Sequence, residues 1–326
     1  MVFFITFLRA LAACFITNAH YTGIYPTDLV ANGGLIGDVL FFAVSGYCLY
    51  NVKENFPRWY GKRLIRVYVP VLIMTAIFLL LGAYVVSPDK NLTWWLIYPT
   101  YYHFVASIIV LYIPFFIVMK MNVLKERISV VALVVFVAYV LIYLFIYDKT
   151  HYHIDTVREP MIRFLFFESM LLGAWFKRND RKYRNQFKSW IPITTVIVFI
   201  TYFASKLLFS KRVAFSNYQI LNQLIIFALL YLMFRLFASL DGKLEQIPVW
   251  IKRIVTFIAD ITLEIYLVQY VLIDVIRNLK LPFPINWVTI TASIILSAFV
   301  LHKICKPIVG KFRGVVEVKR VGENAR

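Results

Sequence analysis

Arg9 and His20 stand eleven residues apart in an opening stretch that is mostly apolar. On a helix, eleven steps of about 100° make three turns plus roughly 20°, so the two share a face and lie about 16 Å apart along the axis. A neutral imidazole near pH 7 is suited to take a proton from a hydroxyl, and a guanidinium is suited to steady an oxyanion. Bland readings stand beside these: a snorkelling or ion-paired Arg9, and an interfacial His20. Asp38 opens a second apolar run and is expected within reach of His20. There a carboxylate would orient the imidazole tautomer and stabilise its protonated form.

A second group is basic and aromatic: Arg58, Lys62, Arg63 and Arg66 among Phe56, Trp59 and Tyr60. Arg63 and Arg66 fall on one side if this stretch is helical. They suit a polyanion such as a nucleotide or phosphate, although short basic loops also arise from topology alone. Asp260 and Glu264, one turn apart, are expected on one face, where like charges repel unless a proton or cation neutralises one. Arg9 is a candidate partner for them. Glu168 is another mid-depth carboxylate, and Glu159 with Arg163 reads as a structural i,i+4 pair. His103, His151, His153 and Asp155 gather outside, but HYHID lacks the four set ligands of a zinc site, so no metal is expected. Gly-rich phosphate loops, GxSxG elbows and HExxH helices are absent from the sequence.

The elements that position these residues follow from composition. Of 326 residues, 61% are hydrophobic and 16% charged, and the mean hydropathy is +0.74. Soluble chains run nearer 45–50% apolar and about 25% charged. Apolar runs recur at the ~20-residue length that crosses a bilayer. Spans are expected at about 2–20, 34–50, 67–87, 99–119, 128–147, 160–176, 189–209, 219–239, 254–276 and 287–305. Alternate connections carry 24 Lys and Arg against 7 on the opposite side. Short basic loops stay cytoplasmic, so both termini are inside. The expected fold is all-α: a polytopic membrane helix bundle of about ten transmembrane helices, one domain over residues 1–326 with a basic cytoplasmic tail at 306–326. The net charge of +18 is then a topology and lipid-headgroup signal, and nucleic acid is not an expected partner. Cys14, Cys48 and Cys305 fall in apolar runs and read as buried structural thiols. Leu11-Ala12-Ala13-Cys14 imitates a lipoprotein cleavage site. Without a basic n-region, and with Arg9 inside the apolar stretch, segment 1 is expected to be a retained helix.

These same residues carry a family resemblance. Phe7-Leu8-Arg9-Ala10-Leu11 with His20, Gly37-Asp38-Val39-Leu40-Phe41-Phe42 with Ser45-Gly46-Tyr47, and Phe56-Pro57-Arg58-Trp59-Tyr60 with Arg63, Arg66 and Pro70 resemble successive blocks of the membrane acyltransferase-3 family. His103-Phe104 with Tyr112 and Pro114 is similar to its next block, with Val105 in place of the usual tryptophan. Thr262-Leu263-Glu264-Ile265-Tyr266-Leu267-Val268-Gln269 is similar to its last, with a wording that resembles members from bacterial polysaccharide clusters. The similarity covers about residues 3–305.

The resemblance implies a ten-helix enzyme of the bacterial cytoplasmic membrane that moves an acyl group, usually acetyl, from cytoplasmic acyl-CoA to a hydroxyl of an extracytoplasmic or lipid-linked glycan such as exopolysaccharide or capsule. It implies His20 as the catalytic imidazole with Arg9 and Asp38 in support, and Arg63 and Arg66, with Arg58, at the acetyl-CoA side. His103, Glu264, Tyr266 and Glu168 are the candidates for the acceptor side. Gln269 stands where many members have histidine and is given no acid–base role. Some members add an extracytoplasmic hydrolase-like domain; the length leaves no place for one, so this chain is expected to act alone or with a separate polysaccharide-assembly protein. General-base attack and an acetyl-imidazole relay both fit. Two non-enzymatic readings stay open on sequence: a glycan transporter or flippase, and a membrane subunit that holds a synthase.

Overall fold

Every regular element among the described residues is helical, as a backbone in hydrocarbon must satisfy its own N–H and C=O groups. The computed structural model describes residues 2–96, 103–156 and 159–323. The longer helices are α1 (Phe3–Ala19), α2 (Gly34–Leu49), α3 (Phe56–Leu80), α4 (His103–Lys120), α5 (Ile128–Phe145), α6 (Ile162–Arg178), α7 (Trp190–Lys211), α8 (Ile220–Ser239), α9 (Val249–Asp260), α10 (Thr262–Arg277) and α11 (Ile285–Glu323). Six of them, α3, α4, α5, α7, α8 and α11, are long and apolar enough to cross a membrane, and the bent pair α9–α10 makes a seventh if it is one span. α1 and α2 are shorter apolar helices. α6, with Arg163, Glu168, Lys177 and Arg178 among its 17 residues, corresponds to the remaining expected segment. The chain is a polytopic membrane helix bundle.

The helix ends correct the sequence reading in three places. α3 begins at Phe56, eleven residues before the expected span, with Pro57 in the first turn, where a missing N–H costs nothing. The basic stretch is therefore helix, and Arg63 and Arg66 do share a side of it. α1 stops at Ala19, so His20 sits on the turn beyond and the shared-face argument with Arg9 ends one residue short. The ninth span is broken at Ile261, where α9 and α10 meet at 71°. The start of the fourth span, expected near residue 99, lies outside the described residues. Of the thiols only Cys305 is buried; Cys14 and Cys48 are exposed on their helices.

Two units divide the chain. The first comprises Met1–Ala12, Leu35–Val52 and Pro114–Thr256; the second comprises Ala13–Gly34, Lys53–Ile113 and Phe257–Arg326. In the first, α6 packs on α5 and α8, and α7 packs on α8. α2 meets α6 backbone to backbone: a Cβ on Gly46 would collide with the Met170 carbonyl, and one on Gly173 with the Ala43 carbonyl. Small residues permit such approaches where lipid removes the usual hydrophobic drive between helices. Phe42 and Phe166 stack beside this contact at 4.3 Å between centroids. In the second unit, α10 packs on α11 and both pack on α3.

Replacing Gly173 by Val forces Cβ and two methyls into the α2 backbone and is expected to cost about 1–3 kcal/mol or more as overpacking. Gly61, in α3, has nothing within 4 Å of an added Cβ. Gly61→Ala is expected to be neutral or to stabilise by up to about 1 kcal/mol through helix propensity. Thermal unfolding of the purified variants in detergent checks both; equal midpoints for Gly173→Val and wild type contradict the close contact.

Candidate active site

His20 is half-buried just past α1, held in the second unit from several directions. One turn earlier, Thr17 Oγ1 donates to Gln269 Oε1 on α10 at 2.8 Å. The His20 ring meets Tyr270, the next residue of α10, edge-on at 5.6 Å. The following loop is tied down. Asn18 Nδ2 donates to the carbonyls of Val30 and Asn32 at 2.7 and 3.0 Å, Tyr25 Oη donates to Asn18 Oδ1 at 2.7 Å, and Asn286 Nδ2 on α11 donates to the Ile24 carbonyl at 2.9 Å. The imidazole is thus set between α1, α10 and a loop that is itself tied down. Gln269 acts as its mount through Thr17, a role that needs no acid–base chemistry.

The basic group on α3 is organised around an acid the motif reading passed over. Glu54 accepts from Lys62 Nζ at 2.6 Å and lies 3.5 Å from Arg58 Nε and 3.8 Å from Arg63 Nη1. Arg63 Nη1 also donates to the Trp59 carbonyl at 2.7 Å, and its guanidinium lies 4.2 Å over the Trp59 ring. Trp59 in turn meets Tyr112 edge-on at 5.8 Å. One carboxylate facing three cations leaves a surplus of positive charge on a rigid aromatic base, which suits a multiply charged anion. Arg66, one turn on, is exposed. The signal for Glu54 was present in the sequence: it is the one acid among the five basic residues of 51–66.

The break at Ile261 overturns the paired-carboxylate reading of α9 and α10. Asp260 ends α9 and is exposed, whereas Glu264 lies in the first turn of α10 and is buried. The two do not share a face. Glu264 Oε1 is instead hydrogen-bonded to Nδ1 of His302 on α11 at 2.9 Å. His302 went unremarked in the sequence; an ionisable residue within an apolar run was its signal. Tyr266 is half-buried against Phe104 at 5.2 Å, beside His103 at the start of α4.

Arg9, Asp38 and Glu168 belong to the first unit, whereas His20, Arg58, Arg63, Arg66, His103, Glu264 and Tyr266 belong to the second. Arg9 is half-buried in α1, whose start is fixed by a distant acid. The Phe4 N–H donates to Asp241 Oδ1 at 2.8 Å, and Asp241 Oδ2 accepts from Arg184 Nε at 2.6 Å. A carboxylate at a helix N-terminus meets both an orphan N–H and the positive end of the macrodipole. Asp38 is buried in α2. Glu168 is buried in α6 and lines a largely hydrocarbon groove.

The outer HYHID stretch is structural. Gln219 Oε1 accepts the His153 and Ile154 N–H groups at 3.0 Å each, and its Nε2 donates to the His151 carbonyl at 3.0 Å. Asp155 is ion-paired to Lys206 at 2.7 Å. Hydrogen bonds from Thr150 hold the nearby Asp148 carboxyl below the usual carboxylate range. Glu159 and Arg163 form no ion pair among the described residues, because α6 starts only at Ile162 and leaves Glu159 outside it. No group of three His, Cys, Asp or Glu among the described residues could hold a metal ion.

No curated protein and no solved structure matches the chain. A family model described as an acyltransferase domain matches residues 2–303. That match takes in α1 through the first half of α11, so the Arg9–His20 pair, the α3 arginines and α10 all fall within it. The chain belongs to the acyltransferase-3 family of multi-pass membrane proteins.

Proposed function

We propose that this acyltransferase moves an acetyl group from cytoplasmic acetyl-CoA to a hydroxyl of an extracytoplasmic or lipid-linked glycan, in the plasma membrane of a bacterium. The observation that carries the reading is that one packed unit holds both a mounted imidazole and a surplus of fixed cations. His20 is braced on α10, and Arg58, Arg63 and Arg66 lie on α3, which packs against α10 and α11. Opposite roles at opposite ends of a span suit a donor that is charged and cytoplasmic and an acceptor that is neutral and outside.

In this mechanism the α3 arginines hold the donor's phosphates. His20 takes the proton of the sugar hydroxyl as its oxygen attacks the thioester carbon, and the C–S bond then breaks. The imidazolium returns the proton to the departing thiolate, leaving an ester, free CoA thiol and neutral His20. Arg9 and Asp38 keep the supporting roles that the family resemblance assigns to them. His103, Tyr266 and Glu264 supply acceptor contacts; Glu264 is steadied by His302.

Removing a general base costs typically 10²–10⁴-fold, so His20→Ala is expected to lower kcat by about that factor with little change in KM for acetyl-CoA. Arg63→Ala removes a charge-assisted contact worth about 1.5–3 kcal/mol, and its KM for acetyl-CoA is expected to rise roughly 10–100-fold. Radiolabelled acetyl-CoA turnover by purified protein in nanodiscs measures both. A His20→Ala enzyme of wild-type kcat removes the imidazole from the reaction. Acetyl label held covalently by the wild type and lost in His20→Ala replaces the general base with the acyl-histidine relay. Wild type that neither binds nor consumes acetyl-CoA in the presence of candidate glycans returns the chain to the transporter reading.

A further inference from the structure

A groove of 360 Å³ runs along the first unit with α6 as its floor and α5 and α8 as its walls. Its volume falls within the ~300–1,000 Å³ range of small-molecule sites. The lining is almost wholly hydrocarbon, from residues such as Leu133, Phe136, Leu172 and Leu224. Besides Ser129, Trp175 and Tyr231 towards its other end, three buried polar side chains interrupt it: Tyr139 at 3% exposure, Glu168 at 6% and Gln223 at 1%. The Tyr139 hydroxyl, Glu168 Oε1 and both amide atoms of Gln223 have no hydrogen-bond partner among the described residues. Native chains rarely leave such atoms unpaired, and in an apolar groove a ligand with matching groups is what they lack.

Their depth says how that ligand lies. Tyr139 is six residues from the outer end of α5 and Glu168 six residues into α6, each about 9 Å down; Gln223 is three residues into α8, about 4.5 Å down. From there the groove continues towards the cytoplasmic side as far as Ile128, Trp175 and Tyr231. The run from Tyr139 to Ile128 is eleven residues, about 16 Å of helix. A hydrogen-bonding group near the outer interface followed by a hydrocarbon trough is the outline of one lipid chain hanging from its linkage. No Lys or Arg lines the groove, and Glu168 would face any phosphate placed at the trio. The Gln223 amide offers a donor and an acceptor together, the complement of a hydroxyl beside an ester.

We infer that the α5–α6–α8 groove binds an uncharged glycerolipid of the outer leaflet, with one acyl chain in the trough and the glycerol hydroxyl or ester on Tyr139, Glu168 and Gln223. The site goes beyond acyl transfer and stands or falls without it.

The test uses the full chain in phosphatidylcholine nanodiscs containing a trace of diacylglycerol with a radiolabelled, photoactivatable acyl chain. After irradiation the label is expected on α5, α6 and α8 peptides, competed by unlabelled diacylglycerol and not by an equal amount of phosphatidylglycerol. Ala132→Trp fills the trough without touching the trio and is expected to cut labelling at least fivefold; Gln223→Leu, with the trough intact, is expected to do the same. Leu224→Trp on the opposite wall serves if Ala132→Trp does not elute as wild type. Label spread evenly over all lipid-facing helices, or unchanged in the Trp variants, overturns the site. Equal competition by phosphatidylglycerol overturns the uncharged ligand.

Discussion

The packing of the first unit hangs on a contact that only two hydrogen atoms permit. Gly46 and Gly173 let α2 and α6 meet backbone to backbone, and each lies against a carbonyl of the other helix. In a bilayer, close packing and polar contacts must do what hydrophobic collapse does in water. The contact fixes α6 where α5 and α8 flank it. Asp38 on α2 and Glu168 on α6 are both buried. Apolar side chains such as Val134 and Ile193, 62% and 61% exposed, face outward on α5 and α7, as bilayer contact allows.

The second unit solves a different problem: how to hold ionisable groups steady. Glu54 gathers Arg58, Lys62 and Arg63, and the stacked Arg63–Trp59 pair limits guanidinium motion. Glu264 is matched to His302. His20 is positioned by neutral partners, Gln269 through Thr17 and Tyr270 by ring contact.

Much of this was legible in the sequence, and the failures share a cause. The all-helical membrane bundle was readable because hydropathy is a local sum, insensitive to packing. The arginine pair on α3 was readable because a three-residue spacing has one meaning on a helix. The break at Ile261 was not, since Asp260-Ile261-Thr262 contains neither Pro nor Gly and local propensity gives no warning of a 71° bend. His302, Glu54 and Asp241 were passed over because each matters through a residue far away in sequence or hidden in a charge run. The groove was invisible for the same reason. Tyr139, Glu168 and Gln223 look ordinary until three helices bring them together, although Glu168 had already stood out as a charge at mid-depth.

The two ties on α1 bear on how the protein is made. α1 is fastened at its start by Asp241 and near its end by Gln269. Phe4 and Asp241 are 237 residues apart, which at about 5–20 residues per second takes roughly 12–50 s to synthesise. Through that interval α1 sits in the bilayer with its leading N–H uncapped and Thr17 without its native acceptor. α1 is thus made long before it is fixed, and the imidazole just past it is set in place only once α10 has emerged from the ribosome.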